Sequence, residues 1–349
     1  MGDVFIPSFK IAVNGSAISE DLWNNIHSIT VESEINLPTM FNIVMEVPDE
    51  ELKENWEGID MAVFKPGNPV KISMGADDAL ELMSGEITAL DISFDSSPKV
   101  EIRGYDKMHR LRFGTKTRSF TEKKDSEIVS TIASEAGLSA NAEATTTIYP
   151  YIFQNNQSNY AFLLERAYRI GYELMVDKDK LIFRKSKEGE SPGSTYTFKY
   201  GVNLESFHLS LGTLIRGSEV EVRGWDIKQK KEIVHKATAS NADSKMGGSK
   251  SGHEFSSSIK ASPISVLYDS VLDAKDAENI AKAIHNNTLE AFITGVGLYT
   301  GDVQIKPGIT VKIEGIGDKF SGTYYVYSTI HSMDYGSFKT IFKVRKTGI

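Results

Sequence analysis

The chain has 349 residues, no cysteine, and 47 acidic against 39 basic residues, for a net charge of −8. The missing thiols exclude disulfides, thiolate metal sites, iron–sulfur ligation and cysteine nucleophiles. The acidic balance argues against specific nucleic-acid binding, which relies on a basic face. No apolar run approaches the roughly 20 residues that a membrane-spanning helix needs.

The N-terminal stretch MGDVFIPSFK lacks both a basic n-region and an apolar h-region, so no signal peptide is expected and synthesis in the cytoplasm is the reading. Residues 8–106 then carry alternating apolar runs at Phe9–Val13, Ile29–Glu34, Phe41–Val47, Val70–Met74, Ile87–Phe94 and Val100–Arg103, separated by Gly, Pro, Asn and Asp. That spacing of short strands predicts a small barrel or sandwich, here a first β-barrel over 1–108. The period changes over 109–195, which reads as a mixed α+β middle domain. In DSEIVSTIASEAGL the residues Ile128, Val129, Ile132, Ala133 and Ala136 share a helical face, with Asp125 or Ser126 to cap the start and Gly137 at the end. In SNYAFLLERAYRIGYELM, Ser158 is the candidate cap, Tyr160, Leu163, Leu164 and Ala167 share a face, and Gly171 ends the helix. A hairpin follows, turning at Asp177–Lys180, and the polar stretch SKEGESPGS at 186–194 reads as a linker.

Strands resume over 196–349, a second β-barrel interrupted by an inserted segment at about 238–299. The insertion begins with the low-complexity stretch SNADSKMGGSKSGHEFSSS, expected to be a flexible or partner-ordered loop. It ends with a helix from about Ala274 to Phe292, capped by Asp273, whose Ala277, Ile280, Ala281, Ile284, Thr288 and Ala291 share a face. Tyr324, Tyr325, Tyr327 and Tyr335 in the closing segment are expected in the core or at an interface.

Two phrases occur twice. KPGNPVKI at 65–72 returns as KPGITVKI at 306–313, so Lys65, Pro66 and Gly67 match Lys306, Pro307 and Gly308. VEIRGYD at 100–106 returns as VEVRGWD at 220–226, so Arg103, Gly104, Tyr105 and Asp106 match Arg223, Gly224, Trp225 and Asp226. Proline fixes φ and glycine tolerates φ > 0, which makes a Lys-Pro-Gly turn common by itself. Two repeated phrases together predict a duplicated β-domain, although their order differs between the copies.

No chemistry stands out. GVGLYTG at 295–301 has the wrong spacing for a dinucleotide loop and precedes a strand. The seven histidines, among them His109, His208, His253 and His331, lie in no metal-ligand spacing and read as structural. The basic stretch Lys107–Lys124, with Arg110, Arg112, Lys116, Arg118 and Lys123, reads as a solvated face or a subunit contact. No catalytic, cofactor-binding or metal residues are assigned, and no cofactor is expected.

The run YIFQNNQSNYAFLLERAYRIGYELMVDKDKLIFRK resembles the signature of the phage late control protein D family and of the hub portion of type VI secretion spike proteins. The matching positions are Gln154, Ser158, Phe162, Leu163, Arg166, Ala167 and Gly171. The tail KPGITVKIEGIGDKFSGTYYVYSTIHSMDYGSFKT resembles the closing segment of the same proteins. The resemblance implies two similar β-barrels per chain and a homotrimer without enzymatic activity. It implies a baseplate hub of a contractile tail or injection system that joins a hexameric tube protein to a three-fold spike protein and touches other baseplate proteins. Assembly into a phage tail or phage-tail-like particle is implied likewise. The chain stops at Ile349, just after the second barrel, so the spike is either a separate polypeptide or this chain is a truncated piece. A tail-associated cell-wall hydrolase and a carbohydrate- or receptor-binding β-module are the alternatives from other classes.

Overall fold

The computed structural model describes residues 7–46, 63–76, 79–94, 97–192, 196–214, 219–226, 229–256, 264–267, 271–334 and 336–349. The first strands are β1 (Pro7–Val13), β2 (Ser16–Ala17), β3 (Ile26–Glu34), β4 (Met40–Glu46), β5 (Pro69–Ala76), β6 (Leu80–Ser93) and β7 (Lys99–Tyr105), with a short helix α1 (Glu20–Asn24) capped by Ser19. The strands pair in the order β3-β4-β7-β6-β5-β1-β2. Alternation of apolar and polar residues puts one face inward. Ile11 and Val13 of β1 share a single core with Ile29 and Val31 of β3, so the sheet rolls up until its distant strands meet.

The middle unit holds β8 (Lys116–Lys123), α2 (Asp125–Glu135), β9 (Ser139–Ala142), β10 (Tyr149–Gln157), α3 (Asn159–Ile170), β11 (Tyr172–Asp177) and β12 (Lys180–Lys185). Both helices lie where the 3.6-residue period places them, and they bury Ile128, Val129, Ile132, Phe162, Leu163 and Ala167 in one core. Ser158 accepts from the Ala161 N–H at 3.1 Å, and Gly171 closes α3 in the left-handed region. The start of α2 differs from expectation. Neither Asp125 nor Ser126 caps it; Lys124 does, its backbone N–H donating to Glu127, while Asp125 is buried in the first turn.

The remaining strands are β13 (Thr197–Lys199), β14 (Ser206–Leu211), β15 (Val220–Asp226), β16 (Lys231–Ala237), β17 (Ile264–Leu267), β18 (Ile293–Thr300), β19 (Thr310–Glu314), β20 (Gly322–Asp334) and β21 (Ser337–Lys346). Six of them pair in the order β14-β18-β21-β20-β19-β13, strand for strand the order β3-β4-β7-β6-β5-β1 of the first half. The details repeat too. A register shift in β6 between Ile87 and Ala89 has its counterpart in β20 between Val326 and Ser328. One difference is direction: β13 runs parallel to β19, whereas β1 is antiparallel to β5. The two halves also form one sheet, because the second part of β20 (Ser328–Asp334) pairs antiparallel with β3 (Ser28–Glu34).

The phrase 220–226 does not belong to this repeat. β15 pairs with β16 and β17 in a separate three-stranded sheet, covered by the helix Ala274–Asn287 around Val220, Val222, Ile233, Ala277 and Ile280. The segment outside the large sheet therefore begins with β15 rather than at 238, and it ends before β18 rather than at 299. The second copy of VEIRGYD is a strand of similar alternation in a different sheet, since period-2 patterning does not name the partner. The low-complexity stretch is also folded where it is described. Asp273 caps the 274–287 helix as expected, and a short helix, Gly252–Phe255, follows Ser251. Lys250 and Ile349 exchange backbone hydrogen bonds at 2.9 and 2.8 Å, so this stretch clasps the C-terminal end of the described chain.

The two Lys-Pro-Gly turns share their backbone geometry. Gly67 and Gly308 have φ of +97° and +88°, and each donates its N–H at 2.8 Å, to the carbonyls of Ile87 and Val326. A side chain at either position is strained by the left-handed backbone. At Gly308 an added Cβ would also meet the Arg184 guanidinium at 2.5 Å, whereas Gly67 faces open space. Gly67→Val is expected to cost about 1–3 kcal/mol and Gly308→Val more. Thermal melting of both variants checks this; near-zero shifts at both sites would contradict the strained-turn account.

Candidate assembly surface

The repeated phrases reach the same cleft through different elements. A cavity of about 440 Å³ opens where the first half, the middle unit and the second half meet, and its walls include Thr39, Asp106, Arg184, the Lys306–Gly308 turn and His331. Asp106 ends β7 and caps the 3-10 turn Lys107–Arg112. Its carboxylate accepts from the N–H groups of Thr39 and Met108, both at 2.9 Å. Burial pushes this carboxyl up to about 6 despite those donors. Arg103 pairs with Asp91, and Gly104 lies where an added Cβ would meet the Phe41 ring at 2.5 Å.

The Arg223–Asp226 group serves another purpose. Arg223 pairs with Glu221 and Glu232 at 2.5 Å, Gly224 makes room for Val271, Trp225 is exposed, and Asp226 accepts from the Gln229 N–H at 2.9 Å. The Gly67 N–H bonds to Ile87, which pairs with Gly104, but Lys65–Gly67 do not line the cavity, which gathers Asp106 with Lys306–Gly308.

The residues that carry the family resemblance hold the middle unit together. Buried Gln154 donates to Asn159 and to the Gln157 carbonyl, and accepts from Arg118 at 2.9 Å. Buried Arg166 pairs with Asp125 at 2.6 Å. A second buried ion pair, Arg169 with Asp276 at 2.6 Å, fastens the middle unit to the inserted one, and the Tyr149 hydroxyl donates to the same carboxylate at 3.0 Å.

Composition does not reveal the junction that fixes the second half. Glu173 of β11 is buried and accepts from the Tyr325 hydroxyl at 2.7 Å. Arg345 of β21 lies between Glu188 and Glu290, the latter at 2.9 Å, and 3.8 Å from Glu173. Burial pushes the Glu173 carboxyl up, with Tyr325, Arg345 and Arg184, the last 3.9 Å away, opposing it. Burial also draws the Arg345 guanidinium down, but the three carboxylates outweigh it and hold the charge firmly. Only the fold assembles this cluster, since its five members, Glu173, Glu188, Glu290, Tyr325 and Arg345, lie in five separate segments of the chain.

The basic stretch is largely answered by acids of the same chain. Lys107 pairs with Asp179, Arg110 with Glu86, and Lys116 and Arg118 with Glu135, while Arg112 lies over the Tyr160 ring at 4.6 Å. Tyr324 and Tyr325 are fully buried and Tyr327 half-buried; Tyr335 lies outside the described residues. The glycines of 295–301 are strand positions shaped by aromatic neighbours, with Phe207 and Phe342 pressed against Gly295 and Gly297. Among the described residues no group of His, Asp and Glu has a metal-binding arrangement, and no helix is long and apolar enough to cross a membrane.

His331 at the back of the cleft is buried, with Nδ1 3.0 Å from Thr340 Oγ1 and Nε2 3.1 Å from the Ile305 carbonyl. Burial lowers its pKa from 6.5 to about 4, opposed by the Ile305 carbonyl and helped by nearby Lys306. The unfolded chain therefore binds this proton first as pH falls, so the contribution is intact above the unfolded value and is lost on acidification. His331→Gln is expected to be less stable than the parent near neutral pH, with the gap narrowing by about 3 kcal/mol between about pH 7 and about pH 4. Denaturant titrations across that range check it; a gap that stays constant contradicts it.

Comparison with known proteins places the fold. The family model described as the Alg8 N-terminal domain matches residues 4–334, a description different from that of the late control protein D family. No curated protein matches the chain in sequence. Among solved structures, the 43 kDa tail protein of prophage MuSo2 from Shewanella oneidensis has a TM-score of 0.74 at 13% identity, covering 97% of this chain and 98% of its own. A tail protein from Neisseria meningitidis MC58 has a TM-score of 0.72 at 12% identity, covering 98% and 97%. The E. coli protein c3393, described as a type VI secretion component structurally similar to the T4 bacteriophage tail proteins gp27 and gp5, has a TM-score of 0.60 at 11% identity, covering 98% and 77%. The mainly β fold with its α+β middle is thus the fold of phage tail and type VI secretion proteins, the group that the sequence resemblance indicates.

Proposed function

We propose that this chain, which belongs to the Alg8 N-terminal domain family, is a structural baseplate hub of a contractile tail or injection system. In this reading it is a homotrimer joining a hexameric tube protein to a three-fold spike protein within a phage tail or phage-tail-like particle. The observation that carries the reading is the duplicated strand order in one continuous sheet, β3-β4-β7-β6-β5-β1 and β14-β18-β21-β20-β19-β13. Three chains with two equivalent halves each offer six like units around an axis that is three-fold by sequence, which is what an adaptor between two symmetries requires. The fold likeness to tail proteins over nearly their whole length supports the same reading. The role is structural rather than catalytic, with adjoining baseplate proteins as further partners.

Sedimentation of the purified chain, alone and with its tube and spike proteins, is the direct test. Trimers are expected in at least one of those mixtures, and a monomer in all of them contradicts the proposal. Release of dye from labelled peptidoglycan would instead favour a cell-wall hydrolase, and retention on a glycan array a carbohydrate-binding module.

The charge of the ring bears on its channel. A net charge of −8 per chain, with Lys107, Arg110, Lys116 and Arg118 already paired to Asp179, Glu86 and Glu135, favours a neutral or acidic inner wall with that stretch facing outward. Such a wall repels phosphates and lets a polymer slide. Fluorescence anisotropy at low ionic strength is expected to show no DNA binding by the assembled protein. Salt-sensitive DNA binding would contradict the outward placement.

A further inference from the structure

The cavity where the three parts of the chain meet is bordered by backbone that has no partner. β11 is the outer strand of its sheet, in the order β11-β12-β9. On its free side the Leu174 N–H donates to Asn36 Oδ1 at 2.8 Å, and the Leu174 carbonyl accepts from the Asn36 N–H at 2.9 Å. Alternation along the strand turns the N–H and carbonyl of Val176, two residues on, to that same side. No described residue is hydrogen-bonded to them there. The Val176 side chain packs against the core of the middle unit, so it is the backbone of this residue that borders the cavity.

A second wall is open in the same manner. The Ile87 N–H donates to the Asn68 carbonyl at 3.0 Å and its carbonyl accepts from the Gly67 N–H, so Glu86 faces the other way, toward β7, where it stands opposite Tyr105. Ser84, two residues earlier, faces the same side past the end of β7 and lines the cavity. The seam adds Thr329, which is 1% exposed and whose hydroxyl has no hydrogen-bond partner among the described residues. A buried hydroxyl left without a bond is costly, and in the wall of a cavity it points to a partner from outside.

The remaining walls limit what that partner is. Lys178, Lys187 and Lys306 are balanced by Glu34, Glu81 and Asp177, so the cavity favours neither a polyanion nor a polycation. Among the described residues no Phe, Tyr or Trp lines it to stack on a sugar or a base. Met83, Met175 and Ile182 supply an apolar surface that adapts to different side chains. A neutral molecule with a donor and an acceptor on one edge at every second position fits these walls, and an extended polypeptide backbone is such a molecule.

We infer that the cavity receives a short extended segment of a partner protein, which adds as a strand to β11 at Val176. One of its carbonyls takes the Thr329 hydroxyl, Ser84 offers it a second backbone contact, and an apolar side chain turns toward Met83 and Met175. The volume of about 440 Å³ lies within the roughly 300–1,000 Å³ of sites that hold a ligand. The inference is independent of the hub reading, because a single chain carries the whole site.

Selection from a random heptapeptide library displayed on filamentous phage, with the intact chain as bait, tests it. A selected peptide labelled with fluorescein is expected to bind the parent chain and to slow hydrogen exchange of the Val176 and Ser84 amides. Val176→Pro removes the edge donor where an outer strand tolerates proline, and is expected to weaken that peptide about tenfold. Thr329→Val keeps the shape and removes the unpaired hydroxyl. It is expected to weaken the peptide about fivefold while the chain melts no lower than the parent. Peptides that bind both variants as tightly as the parent would place the site elsewhere and overturn the proposal, as would a library from which none is enriched. Slow exchange of the Val176 and Ser84 amides in the chain alone would show the cavity filled from within and overturn it. Self-association that Val176→Pro abolishes would assign the edge to a second copy and overturn it likewise.

Discussion

The architecture depends on the ladder between Ser328–Asp334 and Ser28–Glu34, where a strand near the end of the chain hydrogen-bonds to one near its beginning. β20 can serve both halves because it is long and because its register shifts between Val326 and Ser328. Before the shift it pairs with β19; after it, the freed edge turns to β3. A bulge bends and twists its strand, which is how one strand can leave one roll of sheet and enter the next. Val31 and Ile29 on one side and His331 and Met333 on the other bury the junction. Without this ladder the two halves would be beads on a string, with no fixed angle between them for an assembly to use.

Around that seam the smaller units are fastened by buried charge as well as by the apolar cluster of Ile35, Met246 and Tyr325 with Met175 and Tyr327. Arg345 with Glu188, Glu290 and Glu173, and Arg169 with Asp276, join elements far apart in sequence. Removing charges from water is costly, and breaking one partner of such a pair leaves the other uncompensated. These joints therefore contribute more to orientation than to net stability, which suits a part whose task is geometric. The C-terminal clasp, in which Ile349 and Lys250 exchange hydrogen bonds, ties the inserted unit to the end of β21 in the same spirit.

Much of this was legible in the sequence, for reasons that can be assigned. The Lys-Pro-Gly repeat reports the duplication because a glycine at φ > 0 is a local demand that any copy of the turn must meet, and both copies do. Ser158 and Gly171 bound a helix by equally local rules. VEVRGWD misled because alternation records which side of a strand is buried and not which strand lies beside it. Its true partners, 231–237 and 264–267, carry no mark that distinguishes them from strands of the large sheet. The low-complexity stretch at 240–258 reads as a loop by composition. Ser251 nevertheless caps a helical turn there, Met246 is buried, and order comes from the distant C-terminal residues. The Glu173–Arg345 cluster was invisible, and His331 read as structural without its partners Thr340 and Ile305, for the same reason: those partners are set by the fold.

Hydrogen–deuterium exchange resolved by residue tests the shared sheet most directly. The account predicts that amides of 28–34 and 328–334 exchange only as fast as the whole chain unfolds, like the central strands of either half. Exchange of those amides at the rate of an exposed strand edge, while β4 and β21 stay protected, would show two separately folded halves and contradict the account.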